Sequence, residues 1–292
     1  MAIAQDAQVP GVYKRRVGDT VVTVVNDGFL DVPFEIWHGA SRAEMEAAMR
    51  DAFRPGAPRI TVNAFLIETG GRRVLIDAGG GSRTVYSMGL LRGNLAVLGL
   101  SPADIDMVLL THIHPDHSNG LLDDDGNALF PRADIAIDAT EIGFWSDPAL
   151  RDGHVPAALP YLDSAAALLA AYRDRIRPTR DSEEVVPGIT KLPLPGHTPG
   201  HSGYQLDSRG ETLVIWGDTV HVPELQVPRP AITSEYDVSE ALAAESRRRI
   251  FRHVTEAGML VAGMHLHLPA FSHVVEHGEG FRLVPEPWAV AL

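Results

Sequence analysis

The amino-acid sequence is a series of short apolar runs separated by polar segments that carry turn and helix signals. Residues 20–25 are rich in β-branched side chains, and residues 63–68 and 73–77 are apolar runs bounded by glycines, so all three predict strands. Residues 107–110 are wholly apolar, which is typical of a strand buried on both faces. In the second half, strands are predicted at 135–138, 189–194, 212–216 and, as the last one, 259–262.

Helix signals lie between these runs. Ser41, with Glu44 three residues later, predicts a helix that opens with a capping box. Residues 163–175 predict a second helix, and Asp237 with Glu240 predicts a third that runs to about residue 256. Strands with interspersed helices in both halves predict an α/β sandwich with its sheets inside and its helices outside.

No linker or short repeat divides the sequence. The residues with metal-binding chemistry lie at 112–117, 197, 218 and 265, so one site would draw on both halves of the chain. We therefore expect a single domain over residues 1–292.

Composition restricts the possible partners. The chain has 292 residues, and its 25 Lys and Arg against 38 Asp and Glu give a net charge of −13, the wrong sign for binding nucleic acid or an anionic membrane surface. It has no cysteine, which excludes disulfides, thiolate ligands and a cysteine nucleophile. The N-terminal segment lacks an apolar stretch of leader length, and no apolar run reaches the ~20 residues of a membrane span, so we expect a cytoplasmic protein.

The densest chemistry is the sequence Thr-His-Ile-His-Pro-Asp-His at 111–117, directly after a predicted strand. Open α/β sheets bind their ligands at the carboxyl ends of strands. Residues two apart in an extended loop face the same way, so His112 and His114 are expected to share one ion while Asp116 and His117 turn toward a second. Imidazole and carboxylate suit zinc, and the same set can hold iron or manganese.

This pattern resembles the HxHxDH signature of the metallo-β-lactamase superfamily, and later motifs of that family follow in order: Gly-His-Thr-Pro-Gly-His at 196–201, Trp-Gly-Asp at 216–218 and Ala-Gly-Met-His at 262–265. The resemblance spans about residue 60 to about residue 275 and implies an αβ/βα four-layer sandwich. It also implies two metal ions, the first held by His112, His114 and His197, the second by Asp116, His117 and His265, with Asp218 bridging them.

Within the superfamily, the runs at 63–67 and 74–79 and the segment 262–274 are similar to methyl parathion hydrolase and to acyl-homoserine lactone lactonases. Those lactonases usually have a tyrosine three residues after the bridging aspartate, where this chain has His221. True β-lactamases lack the bridging aspartate, which argues against antibiotic hydrolysis. Asp116 and His221 are the candidate catalytic residues.

The resemblance implies a dinuclear zinc hydrolase in which a metal-bridging hydroxide attacks a lactone or a carboxyl ester, because two close ions lower the pKa of a shared water to about 7. Phosphotriester hydrolysis is the alternative, and a sulfur dioxygenase with one iron is a further one. Zinc is the expected ion, while Mn²⁺, Co²⁺ and Fe²⁺ stay open. The expected partner is a small ester or lactone, with no nucleic acid and no membrane, and a homodimer stays open.

Other polar and aromatic residues have both a structural and a functional interpretation. Asp77, at the end of its strand, is a candidate acceptor for a metal-binding histidine, a partner that such ligands nearly always need. Three further histidines exceed the expected ligand count and are interpreted as structural or supporting groups: His201, His267 and His273. Four aromatic residues are candidates for an apolar pocket, although core packing is the more common role: Phe34, Trp37, Phe144 and Trp145.

Overall fold

The computed structural model describes residues 11–153 and 155–292, so the first ten residues, on which the expectation of no leader partly rests, lie outside it. The strands are β1 (Val12–Val17), β2 (Thr20–Asp31), β3 (Trp37–His38), β4 (Arg59–Thr69), β5 (Arg72–Ile76), β6 (Met107–Leu109), β7 (Asp134–Asp138), β8 (Ile176–Thr179), β9 (Glu184–Val186), β10 (Ile189–Pro193), β11 (Ser202–Ser208), β12 (Glu211–Ile215), β13 (Thr233–Ser234), β14 (Leu260–Ala262), β15 (Phe271–His277) and β16 (Gly280–Pro285). The α-helices are α1 (Arg42–Asp51), α2 (Gly81–Thr84), α3 (Leu91–Val97), α4 (Pro115–Ser118), α5 (Ala139–Trp145), α6 (Leu162–Ala171), α7 (Pro223–Gln226) and α8 (Glu240–Glu256).

Most of the strands form two seven-stranded sheets. The first sheet has the order β1-β2-β4-β5-β6-β7-β8, and β5 to β8 run parallel to one another. The second sheet has the order β16-β15-β14-β12-β11-β10-β9, in which β12 and β14 pair in parallel and the other pairs are antiparallel. Strands β3 and β13 form a separate two-stranded ribbon.

The core is layered, and strand β4 shows how. Phe65 and Ile67 belong to the cluster between the two sheets, whereas Ala64 and Leu66 belong to the cluster between the first sheet and its helices, because successive strand residues point to opposite faces. Helices α3 and α6 cover the first sheet, and α8 packs on β15 of the second. The predicted four-layer sandwich is therefore confirmed.

Some of the predicted helix and strand boundaries are confirmed and others are wrong. The capping box of α1 is present, with the Ser41 hydroxyl accepting from the Glu44 backbone N–H and the Glu44 carboxylate accepting from Ser41. The prediction that Asp237 caps α8 is wrong: the residue before the helix is Ser239, and the Asp237 carboxylate binds His197 instead. The prediction of 259–262 as the last strand is also wrong, since the β15–β16 hairpin extends the second sheet beyond β14.

The loops that follow the parallel strands gather at one edge of the sandwich. Strands β5 and β6 are parallel neighbours in the first sheet, and β12 and β14 are parallel neighbours in the second. Backbone hydrogen bonds join the two sheets at this edge: Ser202, the first residue of β11, donates to Thr111 O after β6 (2.9 Å), and Asn63 of β4 donates to Met264 O after β14 (2.8 Å). Both halves of the chain contribute to this edge, which supports the single-domain prediction; that remains a prediction.

None of the helices in the described ranges is long and apolar enough to cross a membrane.

Candidate metal centre

The first predicted metal-binding motif lies in the loop after β6 and in the short helix α4. Pro115 is the first residue of α4, where its fixed φ is favourable, so Asp116 and His117 follow on a helical turn. His112 and His114 precede the helix and are both buried. One loop thereby carries four candidate ligands to the edge of the sandwich.

The structure brings all seven predicted ligands together in two groups, within each of which the donor atoms lie within 4.8 Å of one another. The three-histidine group is His112, His114 and His197, and the two-aspartate group is Asp116, His117, Asp218 and His265. Asp218 Oδ1 lies 3.1 Å from His117 Nε2 and 3.2 Å from His265 Nε2, while Oδ2 lies 3.3 Å from His197 Nε2. The two oxygens of one carboxylate thus reach both groups, as a bridging ligand must.

The buried donor atoms fit a metal ion better than they fit one another. Nε2 of His112, His114 and His117 and Oδ1 of Asp218 have no hydrogen-bond partner among the described residues, a costly state for buried polar atoms. His114 Nδ1 and His197 Nε2 lie 2.9 Å apart. Tetrahedral ligands at ~2.0–2.1 Å from a zinc ion lie about 3.4 Å from one another, so small shifts would complete either group. The imidazole and carboxylate donors also suit manganese, cobalt and iron.

Buried carboxylates orient two of the histidines. Asp77 Oδ2 lies 2.7 Å from His117 Nδ1, as predicted from the sequence, and Asp77 also accepts hydrogen bonds from the backbone N–H and the hydroxyl of Thr111. Asp237 Oδ1 lies 2.9 Å from His197 Nδ1. Each carboxylate favours the tautomer with a proton on Nδ1, which leaves the Nε2 lone pair free for a metal ion.

The three surplus histidines have supporting or separate places. His201 donates through Nδ1 to the carbonyl oxygen of Leu194 and accepts the backbone N–H of Asp218 at Nε2, so it holds the segment that carries this candidate bridging residue. Burial lowers the pKa of His201 to about 3, which keeps it neutral in this role. His267 lies 2.8 Å from the Glu224 carboxylate. The third of these histidines, His273, lies on β15 in the second sheet.

In the metal-free protein, burial and the neighbouring carboxylates determine which histidines of the cluster are protonated. Burial lowers the pKa of His112 and His114 well below the usual value. Burial also acts to lower the pKa of His197, but hydrogen bonds to Asp218 and Asp237 outweigh it and raise the pKa to about 9. At neutral pH the metal-free His197 imidazole is therefore protonated on both nitrogens, and the proton on Nε2 competes with a metal ion.

His221 belongs to the same cluster. Its side chain is buried, and its Nε2 lies 3.1 Å from Asp218 Oδ2. Neither ring nitrogen has a hydrogen bond of good geometry among the described residues, and burial lowers the pKa of the imidazole. His197, Asp218 and His221 also satisfy the spacing of a metal-binding group, so the geometry allows His221 to be either a hydrogen-bond donor or a further ligand.

A cavity of about 170 Å³ opens over the cluster. It is lined by Leu30, Ile60, Thr84, His114, Pro115, Asp116, Tyr161, His197, Asp218, His221 and Tyr236. No lysine or arginine is among these residues, and their only carboxylates are those of Asp116 and Asp218, both candidate ligands. The ring of Tyr161 lies 4.8 Å from that of His114, centroid to centroid, and the ring of Tyr236 lies 6.4 Å from that of His221.

The two tyrosines were not predicted from the sequence, because neither has a motif or a spacing that separates it from ordinary core residues. The four aromatic candidates for a pocket do not line this cavity: Phe34, Trp37, Phe144 and Trp145. Phe34 and Trp37 pack in a core cluster with α1, and Trp145 is buried under the first metal-binding loop. Glu141, which also lies under that loop, was missed for the same reason as the tyrosines.

Comparisons with known proteins agree with this geometry. The model of the metallo-beta-lactamase superfamily matches residues 57–253. An N-acyl homoserine lactonase of Bacillus cereus is 24% identical over 251 residues, which cover 78% of this chain and 86% of that protein. A solved hydrolase of the beta lactamase superfamily, AbOPH, has a TM-score of 0.91 at 29% identity and covers 97% of this chain and 100% of its own. The dizinc quorum-quenching lactonase AidC has a TM-score of 0.90 at 23% identity over 96% of this chain and 99% of its own, a likeness of fold.

Proposed function

The chain belongs to the metallo-beta-lactamase superfamily, and on this premise we propose that it is a dinuclear zinc hydrolase that opens lactones or cleaves carboxyl esters. The observation that carries the proposal is the pair of donor groups joined by Asp218. It supports the proposal together with the curated N-acyl homoserine lactonases that the chain resembles. The proposed ligands are the seven residues of the three-histidine and two-aspartate groups.

Two bound ions would lower the pKa of a shared water to about 7 and polarise the oxygen of the scissile group. The protein residues hold that arrangement in place. Asp218 spans the two groups, while Asp77 and Asp237 fix the imidazoles of His117 and His197. No protein nucleophile is required, in agreement with the absence of cysteine.

Asp116 and His221 are the proposed proton-handling residues. Asp116 is the more exposed carboxylate of the cluster and lines the cavity, so it can accept a proton from the attacking water and return it to the leaving oxygen. His221 lines the same cavity, and its lowered pKa keeps it neutral at pH 7, when one of its nitrogens carries a proton to donate. A hydrogen bond from that nitrogen to the developing oxyanion or leaving alkoxide would lower the barrier.

The lining of the cavity favours an uncharged substrate. A free carboxylate, such as that of a β-lactam antibiotic or of glutathione, would find no lysine or arginine among the residues that line the cavity, so only the proposed metal ions could neutralise it. A neutral lactone or ester needs no such neutralisation, and Leu30 and Ile60 can contact its apolar part.

A neutral phosphotriester fits the same cavity and is the second candidate. Two metal ions that polarise the oxygen of the scissile group would activate a phosphoryl centre as well as a carbonyl centre. A sulfur dioxygenase with one iron has less support, because the two-aspartate group would then be left without an ion.

A substrate panel tests the proposal. The zinc-loaded protein is assayed with an acyl-homoserine lactone, an aryl ester, a phosphotriester and a β-lactam under identical conditions. We expect kcat/KM for the lactone or the aryl ester to exceed that for the β-lactam by at least ~10²-fold, since only the β-lactam brings a free carboxylate, for which the cavity lining has no lysine or arginine. A phosphotriester preference would promote the second candidate, and turnover of the β-lactam alone would contradict the proposal.

A further inference from the structure

Glu141 is a fully buried carboxylate outside the two donor groups. It lies on α5, whose first turn is capped by Asp138 through hydrogen bonds from the backbone N–H groups of Thr140 and Glu141. No lysine, arginine or histidine of the described residues forms an ion pair with it. Burial raises its pKa, and hydrogen bonds from four donors offset part of that shift.

The four donors are divided between the two carboxylate oxygens. Oε1 accepts the backbone N–H of Ile113 (3.0 Å) and the indole N–H of Trp145 (2.7 Å). Oε2 accepts the hydroxyl of Thr198 (2.7 Å) and the backbone N–H of Gly200 (3.0 Å). The carboxylate therefore joins the loop after β6 to the loop after β10.

Both loops carry ligands of the same group. Ile113 lies between His112 and His114, and Thr198 follows His197, so two of the four donors to Glu141 are between them sequence neighbours of all three histidines. The close approach of the second loop depends on Gly200, where a Cβ atom would come within 2.4 Å of the Glu141 backbone nitrogen. In the two-aspartate group, His117 is oriented by Asp77 instead, and Asp218 and His265 lie on other segments.

The geometry points to Glu141 as a positioning residue that sets the three-histidine group and leaves the two-aspartate group to other supports. This inference rests on the proposed metal centre. It predicts that a substitution at Glu141 weakens the binding of one of the two metal ions and leaves the binding of the other unchanged.

Glu141→Gln is the direct test, because the amide keeps the size of the side chain. An amide has one oxygen that accepts and one nitrogen that cannot, so in either orientation it loses the backbone N–H donor of one of the two loops, that of Ile113 or that of Gly200. Loss of such supporting contacts typically weakens metal binding 10–100-fold. Asp27→Asn is the matched control: Asp27 is also fully buried and accepts backbone N–H groups of Gly80, Gly81 and Leu91, none of which adjoins a ligand.

A second, milder pair of variants guards against misfolding. Thr198→Val removes one donor to Glu141 and keeps the shape of the side chain. Thr179→Val is its control, because Thr179 is equally buried and its hydroxyl has no hydrogen-bond partner among the described residues. We expect Thr198→Val to weaken the binding of one ion by roughly tenfold. Thr179→Val should leave the binding of both ions unchanged.

The measurement is a titration of chelator-treated protein with Co²⁺, followed by its visible absorption and by competition with a chromophoric chelator, with circular dichroism to verify folding. Wild type should bind two ions, and Glu141→Gln should bind one with unchanged affinity and one about 10–100-fold more weakly. Two ions bound to Glu141→Gln as tightly as to wild type, or both weakened equally, would overturn the inference alone. Wild type that binds no ion would overturn the proposed function and the inference with it. If Glu141→Gln fails to fold, the threonine pair decides by the same criterion.

Discussion

The hydrogen bond between His197 and Asp237 gives a prediction whose size follows from the structure. Their side chains are buried and the two atoms lie 2.9 Å apart. Burial alone would raise the pKa of Asp237, but the bond and the charge of His197 lower it from 3.8 to about 2. One pKa unit corresponds to ~1.4 kcal/mol, so the pair contributes about 2–3 kcal/mol to the stability of the metal-free protein.

The pH range of that contribution follows from both shifts. His197, with a pKa raised from 6.5 to about 9, contributes fully below pH 6.5 and loses its contribution as the pH rises through 9. Asp237, with a pKa lowered from 3.8 to about 2, contributes above pH 3.8 and loses its contribution as the pH falls through 2. The pair is therefore at full strength between about pH 4 and 6.5.

The perturbation is Asp237→Asn, and the assay is urea unfolding of chelator-stripped wild type and variant at pH 5.5 and pH 9.5. We expect the variant to lose about 2–3 kcal/mol at pH 5.5 and clearly less at pH 9.5. Asp237 also accepts the backbone N–H of Ser234 (3.0 Å), but Asp237 is ionised at both pH values, so the loss of that bond is the same at both. A difference in unfolding free energy that does not change with pH would refute the reasoning.

Three other predictions concern the metal centre and its chemistry. Asp218→Asn keeps the shape of the bridge but removes its charge, so hydrolysis should fall by orders of magnitude with at least one ion bound more weakly; unchanged turnover would remove Asp218 from the site. His221→Phe should lower kcat by ~10²–10⁴-fold with both ions retained, and by less for substrates with good leaving groups. Loss of an ion in that variant would show that His221 is a ligand or supports one. Zinc binding at pH 7 should release about one proton or more, because metal-free His197 has a pKa of about 9; calorimetry in buffers of different ionisation enthalpy measures it, and zero release would contradict that pKa.

The ligands could be predicted from the sequence because each stands in a short motif directly after a strand. His112 to His117 occupy one loop, and the parallel pairs β5–β6 and β12–β14 bring the following loops to one edge. Asp77 could be predicted by the same reasoning, since it follows β5 beside that loop. Whether these residues bind metal remains a prediction, which their geometry supports.

The other residues that orient the candidate ligands and those that line the cavity could not be predicted, because their roles depend on contacts between segments that are distant in sequence. Asp237 has the sequence context of a helix cap, and only the fold shows that its carboxylate is taken by His197. Glu141 stands alone in a helix, and its four donors come from three segments. Tyr161 and Tyr236 reach the cavity from separate connections and share no pattern.

The central claim is that one protein chain holds two metal ions and uses them to hydrolyse an ester. Native mass spectrometry of the purified protein, before and after chelation and with lactone turnover measured on the same samples, tests it most directly. We predict about two transition-metal ions per chain, loss of turnover when they are removed, and recovery with zinc, manganese or cobalt. One ion per chain with full activity, or turnover that survives complete removal of metal, would contradict the claim.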